Sequence, residues 1–147
     1  MRLPLLALAL LGLAACSDSG KTPAAEAPAA PAAPVALGGV DLNQPLRAIG
    51  TEPFWGVEIT PRTLTYTAVD HPGLTAANPG PTIQGTTAVY AAAGADGTTL
   101  VVTLIATECS DGMSDRIYPL TARVELGSQT LNGCAASVAF LEAQPAP

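Results

Sequence analysis

Few residues in this chain can do chemistry. It has three cysteines (Cys16, Cys109 and Cys134) and a single histidine, His71, in Asp70-His71-Pro72. A Ser-His-Asp catalyst would have to use His71, and no Gly-x-Ser-x-Gly elbow accompanies it. No phosphate loop or dinucleotide fingerprint is present. Cys109 with His71 would make a forced nucleophile pair. Two isolated cysteines with one histidine make a poor zinc set, so no metal and no cofactor are expected. Glu52, Glu108, Asp111 and Asp115 gathered at one barrel end would suit acid–base work on a glycan, or calcium. Their spacing fixes no separation, and 111–115 lacks the alternating ligands of a calcium loop. Solvated loop acids are the simpler reading. Aromatic residues are only 4% of the chain, so Phe54-Trp55 stands out. On a strand the two point to opposite faces, one into a core and one outward. The chain is therefore read as a non-enzyme.

The 147 residues suffice for one domain. Six basic residues face twelve acidic ones. Such a chain repels phosphate backbones, which argues against a nucleic-acid partner. Met1-Arg2 is followed by an apolar run over 3–13, too short to span a bilayer, and then by Leu13-Ala14-Ala15-Cys16. This pattern resembles the lipobox of bacterial lipoproteins. The resemblance implies cleavage before Cys16, acylation of Cys16 and lipid anchoring by several chains. Ser17, rather than Asp, after the cysteine implies the outer membrane, facing the periplasm. Without 1–15, which hold one Arg and no acid, the formal charge moves from −6 to −7. Cys109 and Cys134 then remain as an even pair in an oxidising compartment, and a disulfide is expected. It would close a loop of about 26 residues, worth about 3–4 kcal/mol in the chain-entropy model.

Residues 16–40 carry the lipidated cysteine and an Ala/Pro-rich tract. Pro23, Pro28, Pro31 and Pro34 among alanines read as an extended spacer. The body is expected over 41–142, with 143–147 as a disordered tail. Short apolar-alternating runs broken by Gly, Pro, Asn and Asp predict an all-β fold, a small antiparallel barrel or sandwich of seven or eight strands. Strands are expected at 45–49, 54–60, 64–68, 82–91, 98–107, 116–126 and 129–134, with a last edge at 138–141. Residues 70–81 read as a long loop. The run Leu100-Val101-Val102-Thr103-Leu104-Ile105 suggests a central strand covered on both faces.

Two blocks carry a family resemblance. Gly50-Thr51-Glu52-Pro53-Phe54-Trp55 resembles the Gly-x-Glu-Pro-Phe-Trp signature of a family of uncharacterised bacterial envelope lipoproteins. Cys109-Ser110-Asp111-Gly112-Met113-Ser114-Asp115, with Tyr118-Pro119 and Leu131-Asn132-Gly133-Cys134, resembles its second signature. The resemblance supports an anchored β module and supplies no catalytic residue. It marks Glu52, Trp55, Asp111, Met113 and Ser114 as candidate binding residues. A buried hydrogen-bond bridge from Glu52 to the Asp111 loop is an equal structural reading. The expected role is non-catalytic binding or envelope support, with a periplasmic protein or peptidoglycan as partner. A lysozyme-inhibitor-like role, or a peptidoglycan- or glycan-acting one, is the alternative.

Replacing Cys16 tests the anchor. The Cys16→Ser chain is expected to lose fatty-acid label and to leave the membrane fraction. Fractionation of cells fed a labelled fatty acid checks it.

Overall fold

The computed structural model describes residues 35–144. The expected leader, Cys16, most of the Ala/Pro tract and residues 145–147 lie outside them. No described helix is long and apolar enough to cross a membrane. A small hairpin, β1 (Ala36–Leu37) and β2 (Val40–Asp41), opens the body. Leu37 and Leu42 are buried in the main core, so packing begins before the expected boundary at 41.

The main sheet is antiparallel and curls into a half-barrel of nine strands, one or two more than expected. One meander is β3 (Leu46–Thr51), β4 (Phe54–Ile59), β5 (Thr63–Ala68) and β6 (His71–Ala77). The other comprises β7 (Thr82–Gln84), β8 (Thr87–Ala93) and β9 (Thr99–Ile105). It continues in β12 (Leu120–Leu126) and β13 (Gln129–Ser137). Between β9 and β12 the chain makes the short pair β10 (Cys109–Ser110) and β11 (Ile117–Tyr118). Spatial order is β6-β5-β4-β3-β13-β12-β9-β8-β7, so the last strand pairs with the first strand of the sheet. Their register sets Cys134 opposite Ile49 and Ser137 opposite Leu46.

The alternation read from sequence builds the core. Val57 and Ile59 of β4, Leu64 and Tyr66 of β5, and Leu100, Val102 and Leu104 of β9 all point inward. The apolar run in β9 is covered on one face only: Val101, Thr103 and Ile105 are half-buried. The doubly covered strand is β13, where Cys134, Ala135 and Ala136 are all buried. Ala135 joins the main core. Cys134 and Ala136 face a second, small cluster with Tyr118, Ile49, Cys109, Phe140 and Leu141. Small residues on both faces let β13 be sandwiched in this way.

Four expectations are corrected. Residues 71–77 form strand β6, not loop, with Leu74 and Ala76 buried. Pro72 is tolerated there because an edge strand can spare a ladder donor. Gly73, at φ 83°, sits beside the register shift between Tyr66 and Ala68. The expected strand 82–91 is two strands turned at Gly85, φ 57°. The run 116–126 is broken at Pro119, so Ile117–Tyr118 pairs with β10 and only Leu120–Leu126 joins the main sheet. Residues 138–141 are not an edge strand: Val138–Ala143 is a helix, α1. Ser137 caps it, its Oγ accepting from the Phe140 amide at 3.1 Å. The cap overrides the β preference of the apolar run and brings Phe140 and Leu141 onto the small cluster.

The two outer strands, β6 and β7, are joined by residues 78–81 alone. A link that short spans at most about 18 Å, so the sheet must curl until its edges approach. Asn78 fixes the link: its Nδ2 donates to the Thr60 carbonyl at 2.6 Å and its amide to that of Arg62 at 2.9 Å.

Where β3 and β13 meet, side chains would not fit. A Cβ on Gly133 would fall on the Ile49 carbonyl oxygen and 2.8 Å from the Trp55 ring. Gly56, on β4, has nothing nearer than 3.5 Å to such an atom. Gly133→Ala is therefore expected to cost about 3 kcal/mol, lowering Tm by more than about 10 °C. Gly56→Ala is expected to leave Tm unchanged or slightly raised. Thermal unfolding of the two variants checks the pair.

Candidate binding cleft

The two sequence blocks meet at the end of β3. Gly50 pairs with Trp55 across the β3–β4 hairpin, and Thr51 with Phe54. The turn between them carries Glu52 and a cis Pro53. Strand alternation sends Trp55 inward, 5% exposed, and leaves Phe54 outside, 57% exposed. The indole lies over Gly50 and against Gly133; a Cβ on Gly50 would sit on its Nε1. That Nε1 is buried without a hydrogen-bond partner.

The second block is held by a disulfide and by one carboxylate. Cys109 and Cys134 are bonded, Cα to Cα 5.5 Å. The bridge ties β10 to the outer face of β13. Asp111 organises the loop between β10 and β11. Its Oδ1 accepts from the Met113 amide at 3.0 Å and the Ser114 amide at 2.8 Å. Its Oδ2 accepts from the Ser114 hydroxyl at 2.8 Å and the Tyr118 hydroxyl at 3.0 Å. Gly112 takes φ +71°, which lets the chain fold back around the carboxylate. Desolvation works against the charged form. The donated bonds from Ser114, Met113 and Tyr118 outweigh it and hold the Asp111 pKa at about 2. Tyr118 is pushed up, first by desolvation and further by its bond to Asp111. Thr51 Oγ1 donates to the Asp111 carbonyl at 3.2 Å and closes the two blocks onto each other.

Between them lies a cleft of about 510 Å³, lined by Thr51, Glu52, Asp111, Met113, Asn132 and the disulfide. Glu52 is exposed and Met113 is 69% exposed. A neighbouring recess of about 460 Å³ shares Ile49, Gly50 and Thr51 with it and is lined by Phe54 and Val69. Val69 is 83% exposed. One rim thus presents a carboxylate, a thioether, an aromatic ring and a branched aliphatic side by side. Exposed apolar groups gathered in this way mark binding surfaces more often than isolated ones do.

Of the residues singled out from sequence, Glu52, Asp111 and Met113 line the cleft together, and Ser114 supports it from within the loop. Trp55 lies beneath the turn in the core and lines only the neighbouring recess. Of the two readings of Glu52, bridge or binding residue, the bridge is absent among its described contacts: Thr51 makes the bond to the Asp111 loop, and Glu52 is exposed. Glu108, Asp115 and His71 are not among the lining residues. His71 stands edge-on to Tyr66 on β6, ring centroids 5.4 Å apart. Thr51, Asn132 and Tyr118 lie within the two signature blocks but were not singled out as site residues, and Val69, an apolar residue beside Asp70 at a turn, was missed. Asp111, ionised and with both oxygens occupied, is a structural anchor and is unsuited to passing protons at neutral pH. Among the described residues no group of three or more His, Cys, Asp or Glu is placed to hold a metal ion. No protein-family model, curated protein or solved structure matches this chain significantly.

The Asp111 network sets a pH signature. A depressed carboxylate pKa adds stability that is present above the ordinary value, 3.8, and is lost as pH falls through about 2. Asp111→Asn is expected to lower stability by about 2 kcal/mol at neutral pH, its charge-assisted bonds being partly exposed. The gap from wild type should close between pH 4 and 2. Urea unfolding at pH 7, 4 and 2 checks both points.

Proposed function

We propose that this chain is an acylated bacterial envelope protein, held in the outer membrane through Cys16 and facing the periplasm. Its β body serves as a non-catalytic binding or envelope-support module. Its resemblance to envelope lipoproteins with the same two blocks supports this reading. One observation carries it: two blocks more than fifty residues apart in sequence wall a single cleft. Structural demands account for the glycines, the cysteines and Asp111. They leave Glu52, Phe54 and Met113 outward on the rim, where only a partner would use them.

The charge of the body favours a basic or cation-bearing partner. The described residues hold ten carboxylates and four guanidinium groups. Peptidoglycan, which carries amines as well as carboxylates, and basic c-type lysozyme are the two candidates to try first.

The test uses the full chain in detergent, sedimented with peptidoglycan and, separately, titrated with lysozyme at low salt. Wild type is expected to bind one of the two. The double variant Glu52→Gln/Phe54→Ala should bind at least about tenfold more weakly with unchanged Tm, since both side chains are exposed. Equal binding by wild type and variant, or no binding of either partner by wild type, would overturn the assignment of the rim.

A further inference from the structure

The scarce positive charge in this acidic body is not evenly spread. Of the four arginines among the described residues, Arg47 and Arg116 line one cleft, of about 570 Å³, between β3, β11 and α1. It shares only Ile49 with the Glu52–Asp111 cleft. Its volume suits a small ligand.

Each arginine is set in place by its neighbours. Arg47 stands on the outer face of β3 opposite Glu58 and pairs with it at 2.6 Å. Both side chains are about half exposed. Pairs of this kind contribute little and exchange readily for a better partner. Arg116 precedes β11 and lies 5.9 Å from the Tyr118 ring centre, which steadies the guanidinium plane. Tyr118 itself is fixed by its bond to Asp111. Beside the two arginines the lining has an apolar part, Ile49 with Val138 and Leu141 of α1, and a polar part that includes Tyr118 and Gln144. Glu142 stands on the α1 wall.

The chemistry of these walls narrows the ligand. Two guanidinium forks match the planar oxygens of a carboxylate. The surrounding excess of carboxylates disfavours a multiply charged anion such as phosphate, but tolerates one negative charge. Glu142 would meet an ammonium or amide on the same molecule. The apolar part of the lining, Ile49, Val138 and Leu141, takes short aliphatic side chains.

We propose that the Arg47–Arg116 cleft binds the free carboxylate end of a short peptide built of small apolar residues. The carboxylate lies between the two guanidinium groups, and the terminal side chains rest on Ile49 and Leu141. This site does not depend on the function assigned to the Glu52 rim.

The experiment titrates the full chain with trialanine, with trialanine amide and with inorganic phosphate, at low salt, by calorimetry. Trialanine is expected to bind, its amide and phosphate at least about tenfold more weakly. Arg116→Gln and Arg47→Gln should each weaken trialanine about tenfold, and Arg116→Lys less, because it keeps the charge and loses the fork. Melting curves on each variant separate lost binding from lost folding. Glu52→Gln should bind trialanine as wild type does, which keeps this result distinct from the test of the rim. Equal affinity for acid and amide, or phosphate binding as well as the peptide, would overturn the proposal. So would folded arginine variants that bind like wild type, or no heat from trialanine at about 10 mM.

Discussion

The body is organised by the contact between the backbones of β3 and β13 at Gly133. There a strand must pass so near a carbonyl that no side chain can stand between them. The Trp55 ring fills the interior space that Gly50 and Gly133 leave open. Through this one junction the two meanders become a single sheet. On the outer side of the same strand, Cys134 receives the disulfide. Core, junction and bridge are stacked through β13, and each supports the next.

The loop that forms the cleft inherits its rigidity from that stack. It crosses the outer face of β13, fixed at one end by Cys109 and at the other by the buried Tyr118. Asp111 replaces the regular ladder that so short a hairpin cannot make, accepting four hydrogen bonds within eight residues. A buried tyrosine hydroxyl thereby finds its partner, as such groups require. Held in this way, the loop backbone at Met113 and Ser114 has little freedom left to lose.

Much of this was legible in the sequence, for identifiable reasons. Alternation at 54–59 and 64–68 gave the β4–β5 hairpin because one face is buried and the other wet. The pairing of Cys109 with Cys134 followed from elimination once Cys16 was set aside. What failed was local punctuation. Pro72 and Gly73 imitate a loop, yet an edge strand accommodates both. Val138 to Leu141 imitates a strand, yet Ser137 starts a helix. For Glu52 a bridge and a binding role stood as equal readings; a turn leaves it exposed, and its neutral neighbour Thr51 reaches the loop. Alternation predicts which face a residue takes and is silent on which of two adjacent polar groups meets a distant backbone.

The pairing of the last strand with the first has a kinetic side. A chain delivered from its N-terminus can zip β3 to β6, and later β7 to β12, as each hairpin emerges. The free edge of β3 waits for residues 134–137, which lie 85 to 91 positions downstream of their partners. Such long-range closure is slow, and until it occurs an unpaired ladder stands open to any other strand. Completion of this body is therefore timed by the arrival of β13.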